Sequence, residues 1–141
     1  MAHMQFVKQM NGLRKLNLPR DEFAICGSGP LAVREIRDSH DIDIIVKKKL
    51  WKQLAKKYPV HQSDNNRNFI QIRDIEMYED WFPLLENAGK FIETADVING
   101  FRFVKLDYVM KWKKIMNREK DQIDIKLIEK YLKKQEKKWS E

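Results

Sequence analysis

The sequence has too few cysteines for a covalently cross-linked fold. Its single cysteine, Cys26, excludes an internal disulfide and a cysteine-rich zinc site. No apolar run approaches the roughly 18 residues that a membrane-spanning helix requires, and the N-terminus shows no signal-peptide-like apolar segment. We therefore expect a cytoplasmic protein with no membrane partner. Residues 1–3, which precede Met4, are interpreted as a remnant of recombinant expression and carry no weight.

Glycine and proline are also scarce, at five and four residues, which excludes collagen-like and linker-like chains. Apolar residues make up 43% of the chain and aromatic residues 11%, and this is enough to form a core. A length of 141 residues suits one core rather than two. We predict a single domain over residues 1–141.

Acidic residues are outnumbered towards the C-terminus. Residues 105–138 contain 12 Lys and Arg against 6 Asp and Glu, so this segment carries +6 of the total net charge of +7. Such asymmetry indicates an anionic partner, either nucleotide phosphates, nucleic acid or an acidic protein. A solvated, lysine-rich helix surface would give the same pattern.

Apolar periodicity predicts an α+β fold, with a small mixed β-sheet, flanking helices and a C-terminal helical pair. Asn99-Gly100 is a strong signal for a two-residue hairpin turn. The segment around Trp81, Pro83 and Gly89 is predicted to be irregular. The other predicted elements are a helix around residues 6–13, strands over 23–26, 41–46, 69–72 and 75–78, helices over 31–35 and 50–58, hairpin strands over 97–98 and 101–104, and helical segments over 106–116 and 123–132.

Asp41 and Asp43 are two residues apart in a predicted strand. Their side chains should leave the same face of the strand, while Ile42 turns into the core. Two neighbouring carboxylates repel each other unless a cation lies between them, and Mg²⁺ prefers such oxygen ligands. Two solvated acids at a strand end would have the same sequence.

A glycine turn precedes this pair. Gly27-Ser28 follows an apolar strand and opens a predicted helix, so free backbone N–H groups are expected to bind phosphate there. A cation site beside a phosphate site is typical of phosphoryl or nucleotidyl transfer. Cys26, directly before the turn, is predicted to lie in the core.

These residues resemble a known signature. Gly27-Ser28, then Arg34 and Arg37, then the sequence over 39–44 are similar to the DNA polymerase β-type nucleotidyltransferase superfamily. The small nucleotidyltransferases that include toxins of abortive-infection toxin–antitoxin systems are the most similar variety. Their second signature, a Lys followed by Arg-x-Lys-Asp-x-x-Asp, is matched by Lys111 and by residues 118–124.

The resemblance implies a metal-dependent enzyme that uses two Mg²⁺ ions, or Mn²⁺, to transfer NMP from an NTP such as ATP to a hydroxyl. It also implies a third carboxylate on a later strand. Glu76 is our choice as metal-binding and catalytic partner of Asp41 and Asp43, and Asp74 and Asp80 are the rivals. The superfamily more often has Asp where this chain has Glu76.

Basic residues are the predicted nucleotide ligands, together with Gly27 and Ser28. Arg34 and Arg37 are three residues apart and should share a helix face. The two-signature pattern adds Lys111 and Arg118, which with Lys114 follow i, i+3, i+7 spacing and predict one basic edge. Ordinary surface salt bridges would use the same residues.

Several further assignments stay open at this point. Asp124 is predicted to pair with Lys111 rather than to bind metal. Tyr78 and Trp81 are candidates for stacking on a base, and His40 is either a phosphate contact or a structural histidine.

Three functions are compatible with the sequence. A nucleotidyltransferase is favoured, with RNA, particularly a tRNA end, a protein or a small molecule as acceptor. A catalytically inactive member that binds a nucleotide or a partner is the alternative, and a plain nucleic-acid-binding domain is the third. The sequence leaves the oligomeric state undetermined.

Overall fold

The computed structural model describes residues 4–39 and 41–140, except the side chains of residues 139 and 140. The α+β prediction is confirmed, because helices flank a mixed seven-stranded sheet. None of the described helices combines the length and apolar character needed to cross a membrane. In chain order the elements are α1 Met4–Lys15, β1 Phe23–Cys26, α2 Gly29–Ala32, β2 Ile42–Val46, α3 Lys48–Lys57, β3 His61–Gln62, β4 Asn68–Ile72, β5 Ile75–Tyr78, α4 Ala88–Glu93, β6 Asp96–Ile98, β7 Phe101–Phe103, α5 Leu106–Met116 and α6 Glu119–Ser140.

The sheet has the strand order β3-β4-β5-β2-β1-β7-β6. Two neighbouring pairs, β1 with β7 and β2 with β5, are parallel, and the other pairs are antiparallel. The predicted hairpin at Asn99-Gly100 is confirmed. Asn99 and Gly100 both have positive φ, 53° and 81°, as a type I′ hairpin turn requires.

The core consists of two clusters on opposite faces of the sheet, because side chains alternate between the two faces along each strand. Ile42, Ile44 and Val46 of β2 pack with α1 and α3 on one face. Ile45 of the same strand packs with α4, α5 and α6 on the other. Because side chains alternate along a strand, Asp43 shares the face of Ile45, and Ile42 is buried as predicted.

The helix after the glycine turn is shorter than predicted. α2 has only four residues, and Glu35 has a φ of 60°, which ends any helical path before Arg37. The predicted shared helix face of Arg34 and Arg37 is therefore wrong. Local sequence shows no breaker here, so tertiary packing must end the helix.

Of two other boundaries, one differs from the prediction, and the other, the predicted break after residue 116, is confirmed. α4 lies in part of the segment predicted to be irregular, and the side chain of Asn87 caps it by accepting a hydrogen bond from the Lys90 N–H at 3.0 Å. Asn117 has a φ of 51° and separates α5 from α6. The predicted edge from Lys111 through Lys114 to Arg118 is therefore not continuous along one helix.

Gly29 allows α2 to pack directly on β1, and this predicts an effect on stability. A Cβ at Gly29 would overlap the Cγ2 methyl of Ile25, which is fully buried. We expect Gly29→Ala to lower the free energy of unfolding by about 1–3 kcal/mol, measured by urea unfolding. Gly12→Ala is the control, because a Cβ there meets nothing within 4 Å, and it should stabilise α1 by about 0.5–1 kcal/mol. Equal effects of the two substitutions would contradict this packing.

Candidate active site

Three carboxylates meet at one end of β2 and β5. The parallel register pairs Asp43 directly with Glu76, and Asp41 precedes Asp43 by two residues on the same side. One oxygen from each of the three lies within 4.8 Å of the others, a spacing that could hold a metal ion. We call Asp41, Asp43 and Glu76 the acid cluster. Within the described part of the chain, neither Asp74 nor Asp80 joins it, so the geometry favours Glu76 as the third acid.

Asp43 is the most perturbed member of the acid cluster. Burial, followed by repulsion from Glu76 and Asp41, raises the pKa of Asp43 to about 7, while Arg67 acts in the opposite direction. Its Oδ1 atom is buried and has no hydrogen-bond partner among the described residues. A divalent cation would supply both the missing partner and the missing positive charge, so the residues present fit a metal ion.

The glycine turn touches the acid cluster. Gly27 has a φ of 65°, and a Cβ there would lie 2.8 Å from Oδ2 of Asp43. Any larger residue would therefore be strained and would push against the carboxylate. Beyond the turn, the N–H groups of Leu31 and Ala32 already donate to the Ser28 carbonyl. α2, which follows Ser28, is only four residues long, so it forms a single helical turn.

Lys113 and Arg37 face the acid cluster from the helical side and are held by a buried aspartate. Lys113 is 4% exposed, and its Nζ donates to Asp124 at 2.9 Å. Arg37 donates two hydrogen bonds to Asp124, at 2.7 and 2.8 Å. Burial alone would raise the pKa of Asp124, but these hydrogen bonds outweigh it and hold the pKa below its usual value. The predicted partner, Lys111, is thus replaced by Lys113.

Arg118 extends this arrangement at the start of α6. Its Nε and Nη2 atoms donate to Asp121 at 2.6 and 3.0 Å, and its backbone N–H also donates to Asp121. Asp121 is fully buried and forms a second ion pair with Lys113 at 3.7 Å. We call Arg37, Lys113 and Arg118 the cationic wall.

A cavity of about 370 Å³ connects the two groups of opposite charge. Asp41 and Asp43 line it together with all three residues of the cationic wall, and both residues of the glycine turn, Gly27 and Ser28, line it as well. This volume is within the range of small-molecule sites. Acidic and basic side chains facing one cavity are suited to a ligand that carries both phosphates and a bound cation.

Comparison with known proteins gives a structural match only. No family model and no curated protein matches the sequence. A crystal structure of a Thermotoga maritima protein, proposed to be a nucleotidyltransferase, is similar to this chain with a TM-score of 0.58. The alignment covers 95% of this chain and 96% of that one, at 14% identity.

The chain has a nucleotidyltransferase-like fold. At 14% identity the likeness concerns the fold alone, so the acid cluster and the cationic wall are properties of this chain. The narrower resemblance to abortive-infection toxins stays a prediction.

Two predicted nucleotide ligands do not line the cavity. Arg34 donates to Asp96 at 2.8 Å and to the Pro30 carbonyl. Lys111 forms an ion pair with Glu86 at 3.6 Å. Both lie outside the lining of the cavity, whereas Arg37 and Arg118, the other two basic residues predicted to bind the nucleotide, line it.

Both aromatic residues predicted to stack on a base, Tyr78 and Trp81, line the cavity, but they differ in how much surface they expose to it. Trp81 is 4% exposed, because it stacks on Trp112 and meets Phe91 edge-on, so little of its surface is available for a base. Tyr78 lines the cavity, and its hydroxyl donates to Glu76 Oε1 at 3.2 Å. Cys26 is buried, as predicted, and burial raises the pKa of its thiol. His40 lies outside the described residues.

Sequence reasoning missed Lys113 and Arg67. Lys113 could have been found, because it follows Leu106 and Val109 at helical spacing and so lies on the buried stripe of α5. Arg67 comes from the β3–β4 loop and lines the cavity. No local pattern indicates that this loop reaches the acid cluster.

Lys113 is expected to support the fold as well as the cavity. Lys113→Met would remove one cation from Asp121 and Asp124, and Arg118 and Arg37 would remain paired with them. We expect a cost of about 1.5–3 kcal/mol in the free energy of unfolding. Lys114→Met, at an exposed position of α5, is the matched control and should change the free energy by less than about 0.5 kcal/mol. Urea unfolding compares the two variants. A tolerated Lys113→Met would contradict the buried ionic cluster.

Asp43 predicts a pH dependence for the metal-free protein. Between about pH 4 and pH 7 the folded state holds a proton on Asp43 that the unfolded state has lost. The free energy of unfolding should therefore fall as pH rises through this window, by at most about 1.4 kcal/mol per unit. Asp43→Asn removes this contribution. Urea unfolding of both proteins in chelator, at several pH values, should give converging curves at low pH, and parallel curves would contradict the raised pKa.

Proposed function

We propose that the protein is a metal-dependent nucleotidyltransferase that moves an NMP group from an NTP to an acceptor hydroxyl. The observation that carries the proposal is the acid cluster, of which Asp41 and Asp43 face the cationic wall across one cavity, while Oδ1 of Asp43 has no partner among the described residues. The nucleotidyltransferase-like fold supports the same reaction class.

The two sides of the cavity have separate tasks. Asp41, Asp43 and Glu76 would hold the metal, which we propose to be two Mg²⁺ ions. When bound, Mg²⁺ neutralises phosphate charge and lowers the pKa of the attacking hydroxyl. In the reaction the acceptor oxygen bonds to the α-phosphorus, the bond from that phosphorus to the bridging oxygen breaks, and pyrophosphate leaves. No covalent bond to the protein is required.

The cationic wall would bind the two phosphates that leave as pyrophosphate. Arg37 and Lys113 are fixed by Asp124, so their positive charge is positioned before the substrate arrives. Such preorganised donors stabilise developing negative charge without rearranging during the reaction. We also keep Gly27 and Ser28 as phosphate contacts, because both line the cavity beside Asp43.

RNA is the acceptor we propose. α6 carries exposed lysines at positions 126, 130, 133 and 134, on a different face of the helix from Ile128, which is buried in the core. Lysines with this spacing neutralise the phosphates of a nucleic acid backbone. The Asp and Glu residues of the acid cluster oppose such binding unless a cation is present, so RNA engagement should require metal.

Nucleotide transfer tests the proposal directly. The protein is incubated with each α-labelled NTP, Mg²⁺ and total RNA, and the labelled products are separated to identify donor and acceptor together. The double substitution Asp41→Asn and Asp43→Asn should reduce transfer by roughly 100-fold or more, because both would remove metal ligands. Folding should be retained or slightly improved, since repulsion is relieved.

Asp74→Asn is the matched control, because Asp74 lies outside the acid cluster and next to its strand. It should transfer at the wild-type rate. Undiminished transfer in the double variant would contradict the assignment. Nucleotide binding by calorimetry without any transfer would instead identify the catalytically inactive alternative.

A further inference from the structure

Glu76 is the longest member of the acid cluster and has the most torsions to fix. An aspartate is held by two side-chain torsions, whereas a glutamate has three, so ordering it costs more conformational entropy. The backbone register brings Glu76 beside Asp43, but it does not determine where the carboxylate points. Something else must orient it.

Tyr78 is placed to do this. It lies two residues after Glu76 in β5, so both side chains leave the same face of the strand. The Tyr78 hydroxyl donates to Glu76 Oε1 at 3.2 Å. This bond fixes one oxygen of the Glu76 carboxylate, at the position in β5 that the strand register sets beside Asp43.

Arg67 in turn holds the ring of Tyr78. Its guanidinium carbon lies 4.2 Å from the centre of the ring, and its Nη2 donates to the carbonyl and the carboxylate of Asp80. The loop that carries Arg67 is closed by Ser63, which exchanges hydrogen bonds with the Arg67 backbone at 2.8 and 3.1 Å. The cation over the ring is thus fixed from two sides.

We propose that Tyr78 and Arg67 are positioning residues that orient Glu76 for metal binding. This inference rests on the proposed function, because it takes the acid cluster to be a metal site. Groups that orient a ligand commonly change metal affinity by about 10- to 100-fold. They act through Glu76 and do not themselves touch the cation.

Mn²⁺ binding without nucleotide is the test, measured by electron paramagnetic resonance, which distinguishes free from bound Mn²⁺. Tyr78→Phe should weaken binding by roughly 10-fold, in the same direction as Glu76→Gln. Tyr58→Phe is the matched control, since Tyr58 packs on the opposite face of the sheet, and it should bind as the wild type does. In the transfer assay, Tyr78→Phe should lower kcat at saturating NTP with KM for NTP little changed.

For Arg67, the two explanations predict opposite changes in Mn²⁺ affinity. Charge alone predicts that Arg67→Gln binds Mn²⁺ more tightly, because a cation next to a cation site has been removed. Positioning predicts weaker binding in Arg67→Gln. It also predicts weaker binding in Arg67→Lys, which keeps the charge but loses the planar group over the ring. Tighter binding in Arg67→Gln would overturn the role of Arg67.

The outcomes separate the two proposals. If Asp43→Asn and Glu76→Gln weaken Mn²⁺ binding and Tyr78→Phe does not, the metal site stands and the positioning role is overturned. If none of the three substitutions weakens binding, the metal site itself is wrong, and the positioning role fails with it. Urea unfolding of each variant confirms that the comparison is made between folded proteins.

Discussion

The ionic bonds of Asp124 determine where the helices stand relative to the sheet. This buried carboxylate accepts hydrogen bonds from Arg37, in the loop before β2, and from Lys113, in α5, while it is itself part of α6. A buried ionic group of this kind adds little stability compared with apolar packing, but removing one partner is costly. Its main effect is therefore geometric. It joins three separate segments at one point and places their positive charges on one side of the cavity.

The opposite side of the cavity, formed by the acid cluster, has an excess of negative charge. Asp41, Asp43 and Glu76 converge without a comparable set of partners among the described residues. Burial, followed by repulsion from Glu76 and Asp41, raises the pKa of Asp43 to about 7. Folding alone would favour replacing one of these acids, because like charges at close range repel. A site that keeps such repulsion is typical of ligand binding, where the cation offsets a cost that the empty protein bears. The two sides thus differ: each cation of the cationic wall has a carboxylate partner, whereas Oδ1 of Asp43 in the acid cluster has no partner among the described residues.

Local patterns predicted the parts of the site that depend on one strand or one turn. The two-residue spacing of Asp41 and Asp43 was enough to place them on one face. Glu76 was chosen ahead of Asp74 and Asp80 because the resemblance implies a third acid on a later strand, and the strand register brings Glu76 beside Asp43. The errors arose where a distant contact decides. Arg37 was assigned to a helix face that α2 does not extend to. Asp124 was paired with Lys111, which the family signature named, whereas Lys113 is the lysine of α5 that lies against Asp124. Arg67 lies on a loop whose approach to the acid cluster follows from the order of β4, β5 and β2 in the sheet, and strand order is not encoded in local spacing.

The fold and the side chains of the site support the proposed function in different ways. A fold shared at 14% identity places strands and helices in similar positions, but the same architecture can hold unrelated chemistry. What limits the chemistry here is the set of side chains that those positions bring together. A carboxylate group alone would suit a structural cation, and a basic wall alone would suit any anion. Asp41, Asp43 and the cationic wall face one cavity of about 370 Å³. A ligand that presents negative charge to one side and a cation to the other would suit both, as the proposed metal-bound nucleoside triphosphate does. The proposed reaction class therefore rests on that pairing of charges more than on the fold.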